Sequence, residues 1–313
     1  MSAADLAPLR VAFEAMSCGC EVVAHSHHTE RAQLKAAVGA AVLEVQRIEH
    51  KFSRYRPDSV VSRINAAAGQ QAVECDAETL QLLQYAQRQW HDTRGLFDIT
   101  SGVLRRVWNF RLSKVPTREE VEACLPLVDG SAIELDEETV RLPRAGMEID
   151  LGGFGKEYAA DRAAAVLGQH GLVSAYVNLG GDFRVLGPKP DGSAWQIGIQ
   201  HPRQRDRLLA AVPLTRGGLA TSGDYERFIE INGKRHAHIL HPRTGWPVSH
   251  WQSITVIAPM AIQAGQLATT AMLMESQGLQ FLHDTELPFI AVDATGAVHT
   301  HQDRCTTPAM QPS

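Results

Sequence analysis

Between Thr29 and Phe52, apolar residues fall at Leu34, Val38, Val42, Val45 and Ile48. Steps of three and four put them on one stripe, so the segment predicts a long amphipathic helix. Two further helices are expected. One spans 76–95, opening on Asp76 and closing on Gly95; the other spans "TREEVEACLPLV" at 117–128. Ahead of the long helix, "RVAFEAMSCGCEVVAH" reads as a strand or hairpin. Behind it, "SRYRPDSVVSRINAAAG" reads as a loop with a short helix capped by Asp58 or Ser59. "FDITSGVLRRVWNF" turns away from the second helix, and 132–152 has strand–turn–strand character.

An alanine-rich helix follows Gly155. After it come strand-like runs: "SAYVNLGGDFRVLG", "AWQIGIQ", "AAVPLT", "GGLATSG", "ERFIEING", "HILHP" and "QSITVIA". "AIQAGQLATTAMLM" predicts a small-residue helix, "FIAVDATGAVHTH" a closing hairpin, and "TTPAMQPS" a frayed tail. Strands grouped in the middle, with helices early and late, indicate an α+β fold and not a βαβ alternation. No internal repeat is visible.

Composition narrows this picture. The 313 residues are 44% hydrophobic, enough for a substantial core in one large domain or two modest ones. A net charge of −5 and a pI near 6.3 exclude a nucleic-acid coat. No apolar run is long enough to span a membrane, and Asp5, Arg10 and Glu14 interrupt any signal-peptide core. Five cysteines without C-x-x-C spacing suit reduced thiols in the cytoplasm. Cys18-Gly-Cys20 lacks the second pair that a soft-metal site needs, and no export context surrounds Cys18. The histidines at 25, 27, 28, 236, 238, 299 and 301 are read as surface groups, with His236 and His238 on one strand face.

The chemistry concentrates at Met147–Gly171. An acid within an apolar step (Ile149-Asp150-Leu151) meets Gly152, Gly153 and Gly155, then Lys156, then the helix. Glycines permit close backbone approach, a helix start offers free N–H groups, and the lysine adds charge; together they suit a phosphate. A P-loop is excluded because Glu157 follows the lysine, and a Rossmann loop because Tyr158 stands at the third glycine. Taken alone, the stretch reads equally as a tight turn before a helix. Four more stretches add hydroxyls, backbone N–H groups and an arginine: Asn178–Asp182, Thr221–Tyr225, His238–Gly245 and Leu267–Thr270. The combination suits a pyrophosphate.

From about Arg54 to Met274 the ordered motifs resemble the ApbE family of flavin transferases. They are "SRYRPDSVVSRINAAAG", "GLFDITSGVLRRVW", "IDLGGFGKEYAADRAA", "VNLGGDFRVLG", "ATSGDYERF", "HILHPRTGWPV" and "SITVIAPMAIQAGQLATTAML". The resemblance implies a single T-fold-like α+β domain over 11–304, with antiparallel sheets flanked by helices, an N-terminal extension at 1–10 and a tail at 305–313. It implies that FAD is the substrate, usually with Mg²⁺, and that FMN passes to a threonine on a partner protein while AMP leaves. His238 would be the general base, or else a strand histidine bonded to a backbone carbonyl; Lys156 and Arg243 would neutralise phosphates, with turn-bracing as the other reading of Arg243. Tyr55 would stack on a flavin or adenine ring, or else be a core tyrosine. Asn65 matches the family's I-N step, with helix capping as the other reading. Asp98 and Asp182 would reach ribityl or ribose hydroxyls, or cap turns. Gly153, Gly155, Gly180, Gly181, Ser222 and Gly223 would line the cofactor, and Thr269 with Gly155 would hold the metal. Asp161 is expected to brace the glycine turn.

Three positions depart from the family pattern. Gly265 stands where an acid usually precedes Thr269 by four residues, His241 replaces an aspartate, and Glu157 replaces a glycine. With no carboxylate at 265 the Mg²⁺ site is expected to be weakened, because hard cations bind poorly to carbonyls and hydroxyls alone. Glu157 would either supply that carboxylate or cap its helix. The alternative reading is a family member that binds or hydrolyses FAD without transfer. No acceptor motif such as S-G-A-T occurs in the chain, so self-modification is not expected.

Overall fold

The hairpin expected near the N-terminus forms as β1 (Leu9–Ala15) and β2 (Cys18–His25), and the predicted long helix follows as α1 (Arg31–Phe52). The computed structural model describes residues 8–25, 30–110, 114–231 and 233–301. His27, His28, Cys305 and the expected tail lie outside them. β1 begins at Leu9, inside the expected extension 1–10.

The chain continues through α2 (Val60–Ala66), β3 (Val73–Glu74), α3 (Ala77–Asp92) and α4 (Arg118–Cys124) to β4 (Glu134–Leu135) and β5 (Thr139–Arg141). Then come α5 (Gly155–Gln169), β6 (Ser174–Leu179), β7 (Asp182–Val185), β8 (Trp195–Gln200), β9 (Leu208–Leu214) and β10 (Gly217–Gly223). β11 (Phe228–Ile231), β12 (Lys234–Ala237), β13 (Trp251–Ala258), α6 (Ala261–Leu273), α7 (Gly278–Asp284), β14 (Phe289–Asp293) and β15 (Val298–His301) complete it. "FDITSGVLRRVWNF" contains a 3-10 helix, Ile99–Arg106.

Eight strands form one sheet in the order β1-β2-β6-β7-β10-β13-β14-β15, every pair antiparallel. Its central strands are apolar on both faces because both faces are covered. Val22, Ala24, Ala175, Val177 and Leu179 point toward α1 and α5, joining Leu34, Val38, Val45 and Ile48. Val23, Tyr176 and Leu219 point the other way, under the β8–β9 hairpin with Trp195 and Ile197. α6 packs beside α5 on the helical face, its alanines against Ile254 and Val256 of β13. This α+β sheet-and-helix domain is the expected class.

Local chemistry sets the helix starts. Ser59, not Asp58, caps α2, accepting from Ser62 N at 2.9 Å; Asp58 pairs with Arg56 instead. Asp76 caps α3, and Thr117 with Glu120 forms a capping box on α4. The run "HILHP" is not a strand: β12 ends at Ala237, where its pairing with Phe228 ends. His238 thus lies one residue past β12, and only His236 is on it.

α6 has no cap of its own. Its first N–H groups are taken by Asp161 on α5, which accepts from Ala261 N at 3.0 Å and Ile262 N at 2.9 Å. Arg184 Nε lies 3.0 Å from the same carboxylate. The expectation that Asp161 braces the glycine turn is corrected: it joins α5 to α6. Gly218 of β10 completes the joint, since a Cβ there would lie 2.2 Å from Ala261 N. Asp161→Ala would orphan two buried donors and a partly buried arginine. We expect it to cost about 3 kcal/mol in denaturant unfolding, with Asp161→Asn retaining part of that. A loss within about 0.5 kcal/mol, the range of ordinary surface changes, would show that the joint does not hold the fold.

Candidate active site

The glycine turn is braced from below. Asn65 pairs with both backbone groups of Ile149, donating to its carbonyl at 3.0 Å and accepting from its N–H at 2.7 Å. Arg54 reaches Gly102 O, Asp150 and Glu148 at 2.8, 3.1 and 2.6 Å. Asp150 in turn accepts from Gly152 N at 2.9 Å. Phe154 is fully buried against Tyr85 and Phe97, so exposed Gly152 and Gly153 project over an anchored ring. Gly155 then opens α5 and places Lys156 and Glu157 in its first turn.

From there a closed ring of contacts runs through two helices and two strands. Lys156 Nζ lies 2.7 Å from Asp182 Oδ2. Asp182 follows the β6–β7 turn, where Gly180 and Gly181 have φ of 60° and 95°, the backbone that a two-residue hairpin of this hand requires. Asn178 closes that turn by accepting from Gly181 N at 2.9 Å. Asp182 Oδ1 accepts from Thr221 N on β10 at 3.1 Å. The next residue, Ser222, shares a hydrogen bond of 2.8 Å with Thr269 of α6. One helical turn before Thr269 is Gly265, and a Cβ there would sit 2.3 Å from Glu157 Oε1 and 2.7 Å from its Cδ. Glu157 adjoins Lys156, and the ring closes.

The Glu157 carboxylate therefore occupies the space that a side chain at 265 would fill. It is 8% exposed, and its Oε2 has no hydrogen-bond partner. Burial, followed by the nearby Asp182 charge, pushes it up to about 8 against the pull of Lys156. Lys156 itself is held above the usual lysine range: burial opposes its charge, but the Asp182 and Glu157 carboxylates outweigh burial. Cys18 stands beside this ring, its Sγ 2.8 Å from where a Cβ of Gly180 would be. Its thiol is lowered to about 7 by the Cys20 sulfur, 3.8 Å away, and by Lys156. Among the described residues no three or more His, Cys, Asp or Glu side chains form a metal cluster.

The remaining expected residues divide. His238 is half-buried, and its Nδ1 lies 3.2 Å from Arg227 O. A carbonyl only accepts, so Nδ1 carries the proton and Nε2 keeps its lone pair. Burial, then the Arg105 and Arg227 charges, push its pKa from the ordinary 6.5 down to about 3. Tyr55 is 72% exposed, which removes the core reading. Gly223 lies against Tyr225, whose Cε1 would be 2.4 Å from a Cβ. Asp98 is taken up structurally: Thr100 N, Thr100 Oγ1, Gly130 N and Trp90 Nε1 all donate to it. Asp182 is likewise engaged by Lys156 and Thr221, so both acids already hold structural partners. Arg243 donates to Arg94 O at 2.5 Å, tying its turn to the loop after α3.

The ApbE family model matches residues 16–291. The chain belongs to the ApbE family. A Klebsiella pneumoniae (strain 342) FAD:protein FMN transferase is 34% identical over 234 residues, 73% of this chain and 72% of the relative. The Haemophilus influenzae protein of the same name is 32% identical over 253 residues, covering 77% and 73%. The crystal structure of the ApbE protein from Thermotoga maritima superposes with a TM-score of 0.87 at 31% identity, covering 95% of this chain and 97% of that one. Sequence reasoning placed the family's motifs correctly and named the Glu157–Gly265 pair of departures. It could not show that the two residues touch, because they lie 108 positions apart on different helices.

Glu157 has a consequence for stability. Its folded pKa near 8 exceeds its ordinary 4.5, so its contribution is fully favourable below 4.5 and is lost as pH rises through 8. Asp182, Asp161, Lys156 and Tyr85 are the titratable groups that face it. In chelator-treated protein, the Glu157→Gln variant should gain melting temperature relative to wild type as pH rises from 4.5 to 8. A constant difference across that range would contradict the buried charge.

Proposed function

We propose that this protein is an FAD:protein FMN transferase, moving FMN from FAD to a threonine hydroxyl of a partner protein and releasing AMP. The observation that carries this is the ring joining Lys156, Asp182, Ser222, Thr269 and Glu157 beside two glycine turns. It is a compact site of a lysine cation held by Asp182, hydroxyls and backbone N–H groups in a member of the ApbE family.

The reaction needs positioning and charge neutralisation more than covalent chemistry. Gly155 and Gly181 leave open backbone for the pyrophosphate, with Gly153, Gly180, Ser222 and Gly223 framing it, and exposed Tyr55 offers a ring for stacking. Lys156, oriented by Asp182, neutralises phosphate charge. Asp98, Asn65 and Arg243 act behind the site as braces. His238 Nε2 accepts the proton of the acceptor hydroxyl, whose oxygen bonds to the FMN-side phosphorus. The bond from that phosphorus to the AMP phosphate breaks, and AMP leaves with its electron pair.

The residues also fit Mg²⁺. Glu157 Oε2 is a buried oxygen without a partner, Gly265 cradles that carboxylate, and Thr269 follows one turn later. Glu157, Thr269 and the Gly155 backbone would hold the ion, which supplies charge neutralisation on the pyrophosphate. The binding-only and hydrolytic alternative drew on a missing acid at 265; a carboxylate in that space withdraws its main support.

The test is AMP release from FAD with Mg²⁺ and a candidate acceptor, together with FMN retained on the acceptor after denaturation. His238→Ala should lower kcat by about 10²–10⁴-fold and leave the Kd for FAD within a few-fold. AMP release that is independent of any acceptor protein would identify a hydrolase instead, and unchanged turnover would reassign His238 to structure.

A further inference from the structure

We propose that Glu157 is the metal-ligating carboxylate of this site, delivered from α5 into the niche left by Gly265 on α6. The inference rests on the reading of the site as metal-assisted and extends it: the anionic ligand has changed helix, and the site is not weakened.

Three observations converge. The first is steric. A Cβ at 265 would meet Glu157 Oε1, Cδ and Cγ at 2.3, 2.7 and 2.8 Å, so the carboxylate and a side chain at 265 exclude each other. Glycine is required at 265 because Glu157 is there. The second is electrostatic. Oε2 is buried without a donor, and the one adjacent cation, Lys156, is directed to Asp182. A buried carboxylate in this state is costly unless a cation is near, and a divalent ion among oxygen donors offsets that cost. The third is placement. The niche is one helical turn from Thr269, on the same face of α6, and Asp161 fixes the start of α6 relative to α5. Glu157 therefore reaches, from the opposite helix, the space beside the Thr269 hydroxyl. Carboxylate, hydroxyl and carbonyl oxygens are hard donors that select Mg²⁺ or Mn²⁺.

Gly265→Asp alone should not strengthen metal binding, since the added Cβ would meet a filled niche. Mn²⁺ serves as the probe, titrated calorimetrically against the full chain without FAD or acceptor. Wild type should bind it, and Glu157→Gln should bind it more than tenfold more weakly. That variant keeps the fold, as a melting curve checks, because it removes a buried charge. Gly265→Ala should also lose affinity, although it deletes no ligand. The double variant Glu157→Gly/Gly265→Asp, which returns the acid to α6, should bind Mn²⁺ within a few-fold of wild type. Equal affinity in wild type and Glu157→Gln, or no Mn²⁺ binding by wild type, overturns the proposal. Glu157-dependent Mn²⁺ binding without FMN transfer would sustain the ligand and defeat the transferase reading. Transfer with Glu157-independent Mn²⁺ affinity would do the reverse.

Discussion

The position of α6 is set by a side chain that belongs to another helix. Asp161 on α5 accepts the first N–H groups of α6 and is itself held by Arg184. A helix start leaves several donors unpaired, and a carboxylate there is favoured by hydrogen bonding and by the helix dipole. Because Asp161 lies one turn beyond Glu157 on α5, the same contact determines which part of α6 faces Glu157. That joint sets the facing of Gly265 and Thr269, while Ser222 is placed by the pairing of β10 with β13. The close pass of Gly218 under Ala261 adds β10 to it, so two helices and a strand share one origin.

This explains how two departures from the family pattern are one feature. Taken separately, a glutamate in place of glycine at 157 crowds a helix start, and a glycine in place of an acid at 265 removes a ligand and weakens a helix interior by about 1 kcal/mol. Taken together, the glutamate fills the volume that the glycine vacates. Both helices run unbroken through these positions. What changes is the carboxylate's neighbourhood. Glu157 now adjoins Lys156 along the chain, and the lysine is kept from collapsing onto it by Asp182, whose own second oxygen is committed to Thr221 N.

The fold class was legible because both periodicities are strong: steps of three and four in α1, and alternation or continuous apolar runs in strands covered on two faces. Motif order carried the family. Roles of single residues were less legible, for a physical reason. Asn65, Asp98 and Arg243 are polar residues in glycine-rich loops, where a ligand contact and a backbone brace produce the same residue choice. Only the donors seen around Asp98, or the two bonds between Asn65 and Ile149, separate the readings. The run around His238 looked like a strand because of its apolar pair Ile239-Leu240, yet β11 begins only at Phe228, opposite Ala237, and offers His238 no paired residue. Pairing is a property of two segments and cannot be read from one.

His238 shows how such a setting shapes reactivity. Burial, and then the Arg105 and Arg227 charges, keep the imidazole neutral far below neutral pH, and the Arg227 carbonyl assigns the proton to Nδ1. A histidine with an ordinary pKa would be partly protonated, and so partly unable to accept, in mildly acidic solution. Here the lone pair on Nε2 is available throughout, at the cost of weaker intrinsic basicity. The same cationic surroundings favour a polyanionic substrate, and its phosphates would in turn stabilise the imidazolium as the proton arrives. Neutrality before binding is thus one result of that charge arrangement, and a gain of basicity beside bound phosphates is what the proposed reaction would require of it.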